Sequence, residues 1–224
     1  MPAQAHHLAR ELENLKKNLL HVGKLALSEL SRAMEAYNTR DVEMARSVAA
    51  SDKDLDAKEV RVEEECLRII ALHQPVAQDL RYLTSALKIN QLIENTGDTA
   101  VNIAKRAEFL AKRPPLPIEI DITGTGARVV EMFDRALQSF VNLDELAAHE
   151  VIDMDSAVDT VYRSATQRLI GVMEQHSNQV EAALQTMNLM RHLERAADRA
   201  TDIAEQVLYI LTGDIVRHSD HSSD

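Results

Sequence analysis

The stretch "IENTGDTAVNIAKRA", residues 93–107, recurs 100 residues later as "LERAADRATDIAEQV", residues 193–207. Acids and small residues fall in matching places in the two copies. The matching acids are Glu94/Glu194 and Asp98/Asp198 at an offset of 100, and Asp52/Asp155 and Asp56/Asp159 at an offset of 103; Asn102 matches Asp202. Self-similarity at a nearly fixed spacing indicates two copies of one structural unit.

Helical periodicity accounts for nearly all of the chain. Trp is absent, aromatic residues make up 3% of the sequence, and only 6 Gly and 5 Pro interrupt it. Apolar residues recur three and four apart, beginning with Leu8, Leu12 and Leu15, which is the pattern of an amphipathic helix. We therefore predict an all-α fold of two tandem three-helix bundles related by internal duplication.

Capping residues and helix breakers place the predicted boundaries. Asp41 can cap a second helix, and Pro75 suits the first turn of a third. The proline-rich stretch "KRPPLPIEIDITG" separates the two halves. The predicted helices cover about residues 8–37, 42–72, 75–112, 126–147, 151–175 and 179–212. The expected organisation is a first bundle at 1–115, a second at 116–213 and a disordered tail at 214–224.

The charge balance and the single cysteine exclude several classes of protein. A net charge of −11 argues against nucleic-acid binding, which needs clustered Lys and Arg. Cys66 stands alone, so an internal disulfide and a multi-cysteine zinc site are excluded, and we interpret it as inert packing. No apolar run approaches the about 20 residues of a membrane span. The sequence thus predicts a cytoplasmic protein that is peripheral to a membrane at most.

The repeated acids are expected to converge in each half. Residues four apart share a helix face, and the second and third helices of each half should be antiparallel neighbours. Counting outward from the connecting turn at 1.5 Å per residue puts Asp56 level with Glu94, and Asp159 level with Glu194. Four carboxylates per half would repel one another, and a cation that prefers oxygen ligands would offset the repulsion. Solvated helix faces are the alternative interpretation of the same acids.

The remaining polar residues point to no other chemistry. Gly97 is interpreted as a site of close helix packing, because Ala197 serves at the matching position. His73 and His176 occupy matching helix ends, where capping is expected, and His192 is expected on the surface. The Glu-x-x-His pairs of di-iron bundles are missing from these helices. Two rival functions stay open: a metal-dependent carboxylate-bridged enzyme, such as a hydrolase or an oxidase, and a plain structural bundle.

The stretch "HQPVAQDLRYLTSALKINQLIENTGDTAVNIAK", residues 73–105, resembles the PhoU family, accessory proteins of the bacterial phosphate-specific transport system. That family's third helix carries a pattern close to Gln-Pro-x-Ala-x-Asp-Leu-Arg, then Leu-Glu-Arg-Ile-Gly-Asp-x-Ala-x-Asn-Ile-Ala. The second half lacks the first of these motifs and has Asp202 where the family has Asn, so the two halves should differ as sites.

The resemblance implies a regulator with bound metal ions, iron or zinc, rather than an enzyme. It implies contacts with the phosphate-specific ABC transporter and a phosphate sensor histidine kinase, through which the phosphate-starvation response is kept off. A homodimer is expected from apolar stripes on the long helices. The candidate metal ligands are Asp52, Asp56, Glu94, Asp98, Asp155, Asp159, Glu194, Asp198 and Asp202.

Overall fold

The computed structural model describes residues 2–214 and, within them, the side chains of 6–51 and 54–214. All regular structure in this part of the chain is helical, which confirms the predicted all-α fold. The α-helices are α1 (Pro2–Thr39), α2 (Val42–Ala49), α3 (Asp52–His73), α4 (Ala77–Ala111), α5 (Ile122–Asn142), α6 (Glu145–Gln175) and α7 (Val180–Thr212). Most of the predicted tail, residues 215–224, and the side chain of Asp52 lie outside the described residues.

The second helix of the first half is split in two. The sequence predicted one helix here, and that prediction was wrong, because residues 50–51 separate α2 from α3. The Ser51 hydroxyl donates to the Val48 carbonyl at 2.8 Å, a local bond that competes with continuation of the helix. The predicted cap is confirmed, since the Asp41 carboxylate accepts the Met44 N–H at 2.9 Å.

The boundary between the first two helices of the second half, α5 and α6, also differs from the prediction. The expected break lay at about 148–150, whereas α5 and α6 are separated by residues 143–144. Leu143 ends α5 with a left-handed φ of 49°. The Asp144 carboxylate then accepts the Ala147 N–H at 3.1 Å and starts α6. Local caps therefore interrupt an apolar periodicity that would otherwise continue.

The two halves share one hydrophobic core. Within the halves α4 packs on α1 and α3, and α7 packs on α5 and α6. The halves meet where α4 contacts α7 and where α1 contacts α5. One cluster of buried apolar side chains accordingly includes Leu15, Ile93, Phe133 and Leu193. Within residues 2–214, no helix has a stretch long and apolar enough to cross a membrane.

The contact between α1 and α5 is reciprocal. A Cβ on Gly23 would lie 2.7 Å from Leu137 Cδ2, and a Cβ on Gly126 would overlap Met34 Cε. Gly126 follows Gly23 by 103 residues, and Leu137 follows Met34 by the same number. Each glycine therefore accepts the long side chain of the other copy, as in a self-complementary interface about an approximate two-fold axis.

Candidate functional site

The acids of the first half come together where α3 packs against α4. Glu94 is half-buried, and burial raises its pKa, with the charges of Asp98, Asp56 and Glu59 raising it further. Carboxylates from both helices thus lie within electrostatic reach of one another. We call Asp56, Glu59, Glu94 and Asp98 the first acid patch.

Glu59 is a member that the sequence reasoning missed. It follows Asp56 by three residues, so the two share a face of α3, and this spacing was the available signal. Asn90 Nδ2 donates to both the Glu59 Oε1 and the Glu59 carbonyl at 2.9 Å, which ties α4 to α3. Burial raises the pKa of Glu59, and the charges of Glu63 and Asp56 add to the shift.

The second half forms a corresponding group between α6 and α7. Burial raises the pKa of Glu194, and the charges of Asp198, Asp159 and Asp155 raise it further, against an opposing effect of Arg191. Burial also raises the pKa of Asp198, with Asp159 and then Asp202 adding to it. We call Asp155, Asp159, Glu194, Asp198 and Asp202 the second acid patch.

A shallow cavity lies beside the second acid patch. Its volume is about 350 Å³, and its lining includes Asp155, Ser156 and Asp159 on one side of α6. Arg163 reaches into the same lining and pairs with Asp159 at 3.0 Å. Because both of these side chains are on the protein surface, the pair contributes little stability, and a competing cation can displace it.

Gly97 has the close-packing role that its place in the repeat predicted. A Cβ at position 97 would overlap Leu55 Cδ2, and Leu55 is buried next to Asp56 on α3. The missing side chain therefore lets α3 and α4 approach beneath the first acid patch. At the equivalent positions, the second half has Ala197 and Val158, both buried. The larger Leu55 therefore packs against the smaller Gly97 in the first half, and the smaller Val158 accompanies the larger Ala197 in the second.

Arg199 connects the two halves between the patches, and the sequence analysis did not single it out. Its Nη1 donates to Thr99 Oγ1 at 2.6 Å, across the contact of α7 with α4. Burial lowers the pKa of this guanidinium, while Asp198 and Asp98 oppose the shift. Thr99 and Arg199 are themselves 100 residues apart, so this pair lies near the approximate two-fold axis. A cation there faces acids of both patches.

Three smaller predictions have clear outcomes. Cys66 is fully buried, and burial raises its pKa to about 12, which confirms an inert, protonated thiol. His192 was expected on the surface, but it is half-buried, and burial followed by the charge of Arg106 lowers its pKa to about 4. His73 was expected to cap a helix, but its Nε2 instead lies 2.8 Å from Glu11 Oε2. The prediction for His192 was wrong, and the capping prediction was wrong for His73 but holds for His176, which is the C-cap residue of α6.

The acid patches offer the oxygen donors that hard and borderline cations prefer. Burial, and then the mutual repulsion of these acids, raise the pKa values of Glu94 and Glu194, and a bound cation would relieve the repulsion. Among the described side chains, the group with three ligand atoms within 4.8 Å of one another lies elsewhere, at His7, Glu11 and His73. The patch carboxylates must therefore rotate toward one another to share an ion.

Replacing Glu194 by glutamine is expected to stabilise the metal-free protein at about pH 7 by roughly 0.2–0.5 kcal/mol for each like-charge pair removed. The pKa of Glu194 is raised above its ordinary value of 4.5, so the folded state holds this proton more tightly than the unfolded state. The contribution of Glu194 to wild-type stability should consequently fall as pH rises from about 4.5 through its folded-state pKa. The variant should lack this one contribution, so the stability difference between the two proteins should change with pH.

Urea unfolding with chelator present, at about pH 4.5 and about pH 7, measures the difference. Glu174→Gln is the matched control, because Glu174 is an exposed acid on the same bundle and lies outside the second acid patch. A Glu194→Gln variant that is less stable than wild type at pH 7 would contradict the electrostatic interpretation.

The fold and the site thus define the class of protein: an all-α protein built from two copies of a helical bundle, each with an acidic face. The chain belongs to the PhoU family, since the PhoU domain matches residues 19–107 and 122–207, one match in each half. The resemblance seen in the sequence is thereby confirmed.

Known relatives align with this chain over nearly its full length. A protein of Aquifex aeolicus, named phosphate-specific transport system accessory protein PhoU homolog, is 37% identical over 94% of this chain and 96% of its own. A protein of Pseudomonas aeruginosa with the same name is 33% identical over 95% of this chain and 90% of its own.

Solved structures show the same fold. The crystal structure of PhoU from P. aeruginosa superposes with a TM-score of 0.88 at 32% identity, covering 92% of this chain and 99% of that one. The crystal structure of the phosphate transport system regulatory protein PhoU from Streptococcus pneumoniae superposes with a TM-score of 0.86 at 26% identity. The match covers 94% of this chain and 99% of that one.

Proposed function

We propose that this protein is a cytoplasmic negative regulator of phosphate uptake and of phosphate-starvation signalling. In this proposal it acts by contact with a phosphate-specific ABC transporter and its sensor histidine kinase, and not by catalysis. Membership of the PhoU family supports the proposal, together with relatives that are named accessory proteins of a phosphate-specific transport system.

The observation that carries the proposal is the convergence of acids from two helices in each half. We propose that iron or zinc ions bind there and add positive charge between these carboxylates. The ions would hold α3 against α4 and α6 against α7, and would fix the acidic faces as docking surfaces. The proposed ligands are Asp52, Asp56, Glu94, Asp98, Asp155, Asp159, Glu194, Asp198 and Asp202.

The chemistry of the site favours binding over catalysis. Because the patch carboxylates would serve as metal ligands in this proposal, catalysis would need a further general base and a suitably placed reacting atom. The polar neighbours of the second acid patch include Arg163 and Arg199, which stay protonated and serve as charge partners. The thiol of Cys66 is buried and protonated.

Exposed apolar side chains support protein contacts. Leu72, Val76 and Leu80 lie around the turn between α3 and α4 and are 67%, 75% and 39% exposed. Leu67 on α3 and Ile170 on α6 occupy equivalent positions and are also exposed. Clustered apolar surface of this kind marks interaction sites. We propose that this surface contacts partner proteins and forms a homodimer. Sedimentation equilibrium would measure the mass of that dimer.

Deletion of the gene in the host that encodes it is expected to switch on the phosphate-starvation response at high phosphate, measured as the activity of an alkaline phosphatase reporter placed under a phosphate-starvation promoter. The wild-type gene should restore repression. Asp98→Ala/Asp198→Ala, which removes one carboxylate from each acid patch, should leave activity at the level of the deletion strain. Asp54→Ala/Glu174→Ala removes the same charge from exposed positions outside the patches, and it should restore repression.

The possible outcomes separate two parts of the proposal. If deletion leaves alkaline phosphatase repressed, the regulatory function is wrong. If deletion releases repression but the Asp98→Ala/Asp198→Ala gene restores it, the protein is a regulator that does not depend on its acid patches. Immunoblotting of each variant at equal cell density controls for protein level.

A further inference from the structure

A second group of potential metal ligands lies away from the acid patches, where the start of α1 meets the end of α3. His7 and Glu11 are four residues apart and share a face of α1, and His73 is the last residue of α3. His73 Nε2 lies 2.8 Å from Glu11 Oε2, and His7 Nδ1 lies 3.7 Å from Glu11 Oε1. The two imidazole rings are stacked with centroids 5.4 Å apart.

We propose that His7, Glu11 and His73 form a binding site for a divalent transition-metal ion of the zinc class. One ligand atom from each residue lies within 4.8 Å of the others. Two imidazole nitrogens and one carboxylate oxygen are a donor set that zinc takes, with water in the fourth position. Zinc bonds of about 2.0–2.2 Å need the three atoms to draw closer, and the exposed His7 side chain has the freedom to do so.

Arg68 prepares the carboxylate for this role. Its Nη1 donates to Glu11 Oε1 at 2.9 Å, which leaves Oε2 as the atom that faces His73. Ligands held by an outer hydrogen-bonding partner are typical of metal sites.

The site belongs to a part of α1 that the second copy does not have. Helix α5 begins at Ile122, whose counterpart at the 103-residue offset is Leu19. The PhoU domain match also begins at residue 19, so His7 and Glu11 precede it. A bound ion would attach this additional segment of α1 to α3.

The test is zinc and cobalt binding to the full chain. The parent for all variants carries Asp98→Ala, Asp198→Ala, His218→Ala and His221→Ala, because the acid patches and the two histidines near the end of the sequence can also bind metal. Into this parent we introduce His7→Ala/His73→Ala, His7→Ala alone, or the control His6→Ala/His176→Ala. His6 is the exposed neighbour of His7, and His176 is the exposed counterpart of His73.

The parent and the control are expected to bind one zinc ion with equal affinity, and bound cobalt should give the visible absorption of a tetrahedral N/O site. His7→Ala/His73→Ala should lose more than the roughly 10–100-fold in affinity that removal of an outer-shell partner costs. Saturating zinc, at about 100 times its Kd, should raise the melting temperature of the parent by roughly 5–10 °C and that of the double variant by much less.

Equal zinc affinity and equal cobalt spectra in the control and in His7→Ala/His73→Ala would overturn the proposal. Absence of zinc binding by the parent would do the same. His7→Ala guards against a folding artefact, because His7 is exposed and its removal leaves the core intact. If that folded single variant binds zinc as tightly as the parent, the site is wrong.

Discussion

Protein purified without chelator or affinity histidines is expected to contain about one or more iron or zinc ions per half, bound by carboxylates. The Asp98→Ala/Asp198→Ala variant is expected to lose them. The physical reason is the cost of holding several partly buried carboxylates together: burial, and then the charges of the neighbouring acids, raise the pKa values of Glu94 and Glu194. A cation converts that repulsion into attraction, so removing one ligand from each patch weakens both sites.

Elemental analysis measures the metal content, and thermal unfolding with and without added iron or zinc measures its effect on stability. Both proteins should carry His7→Ala, so that the separate histidine site does not contribute to the count. Each bound ion, at about 100 times its Kd, would stabilise the folded state by about 2.7 kcal/mol, and the variant should lack this stabilisation. Asp54→Ala/Glu174→Ala is the control of equal charge and should keep its metal.

Wild type and variant that are both empty, and equally stable across added iron and zinc, would show that the acids are solvated helix faces. The regulatory function would then stand without metal ions. Loss of metal from the Asp54→Ala/Glu174→Ala control as well would mean that the metal responds to overall charge and not to the two patches.

Adding a methyl group at Gly97 is expected to lower the free energy of unfolding by about 1–2 kcal/mol. Overpacking in a filled core costs about 1–3 kcal/mol, and alanine returns about 1 kcal/mol or less through its better helix propensity. The overlap is with Leu55 Cδ2, which belongs to a fully packed side chain. The cost should therefore depend on the size of residue 55.

Leu55→Val tests that dependence. Alone it should cost about 0.5–1.5 kcal/mol, as is typical when one buried methylene is removed. Combined with Gly97→Ala it recreates the Val158 and Ala197 pair of the second half, and the double variant should be more stable than the sum of the single effects predicts. Residues in contact commonly show coupling of about 0.5–3 kcal/mol.

Urea denaturation of wild type, both single variants and the double variant gives the coupling energy directly. Ala197→Gly is the matched control: it should cost about 1 kcal/mol through helix propensity, without coupling to Leu55. Additive single effects would mean that Gly97 is not what sets the approach of α3 to α4.

The sequence predicted the helical content and the common level of the acids because both depend on short-range periodicity. It predicted the duplication because the two copies still match at offsets of 100 and 103 residues. Apolar residues three and four apart identify helices, and a fixed rise of about 1.5 Å per residue converts a count from a turn into a height. Gly97 was also interpretable from sequence, since its counterpart Ala197 showed that small size, and not backbone freedom, is the common requirement. Missed boundaries at 50–51 and 143–144 reflect local caps that compete with continued apolar periodicity.

Only the tertiary structure decided which distant residues meet. Arg199 reaches Thr99 across the two halves, and His73 meets Glu11 at 2.8 Å, although 62 residues separate them. Such contacts leave no periodic trace, because they depend on how whole helices rotate and slide against one another. Periodicity specifies the buried face of a helix to within a wide stripe, whereas a hydrogen bond or a metal site requires positions correct to within about 0.5 Å. The packed core of both halves supplies that accuracy.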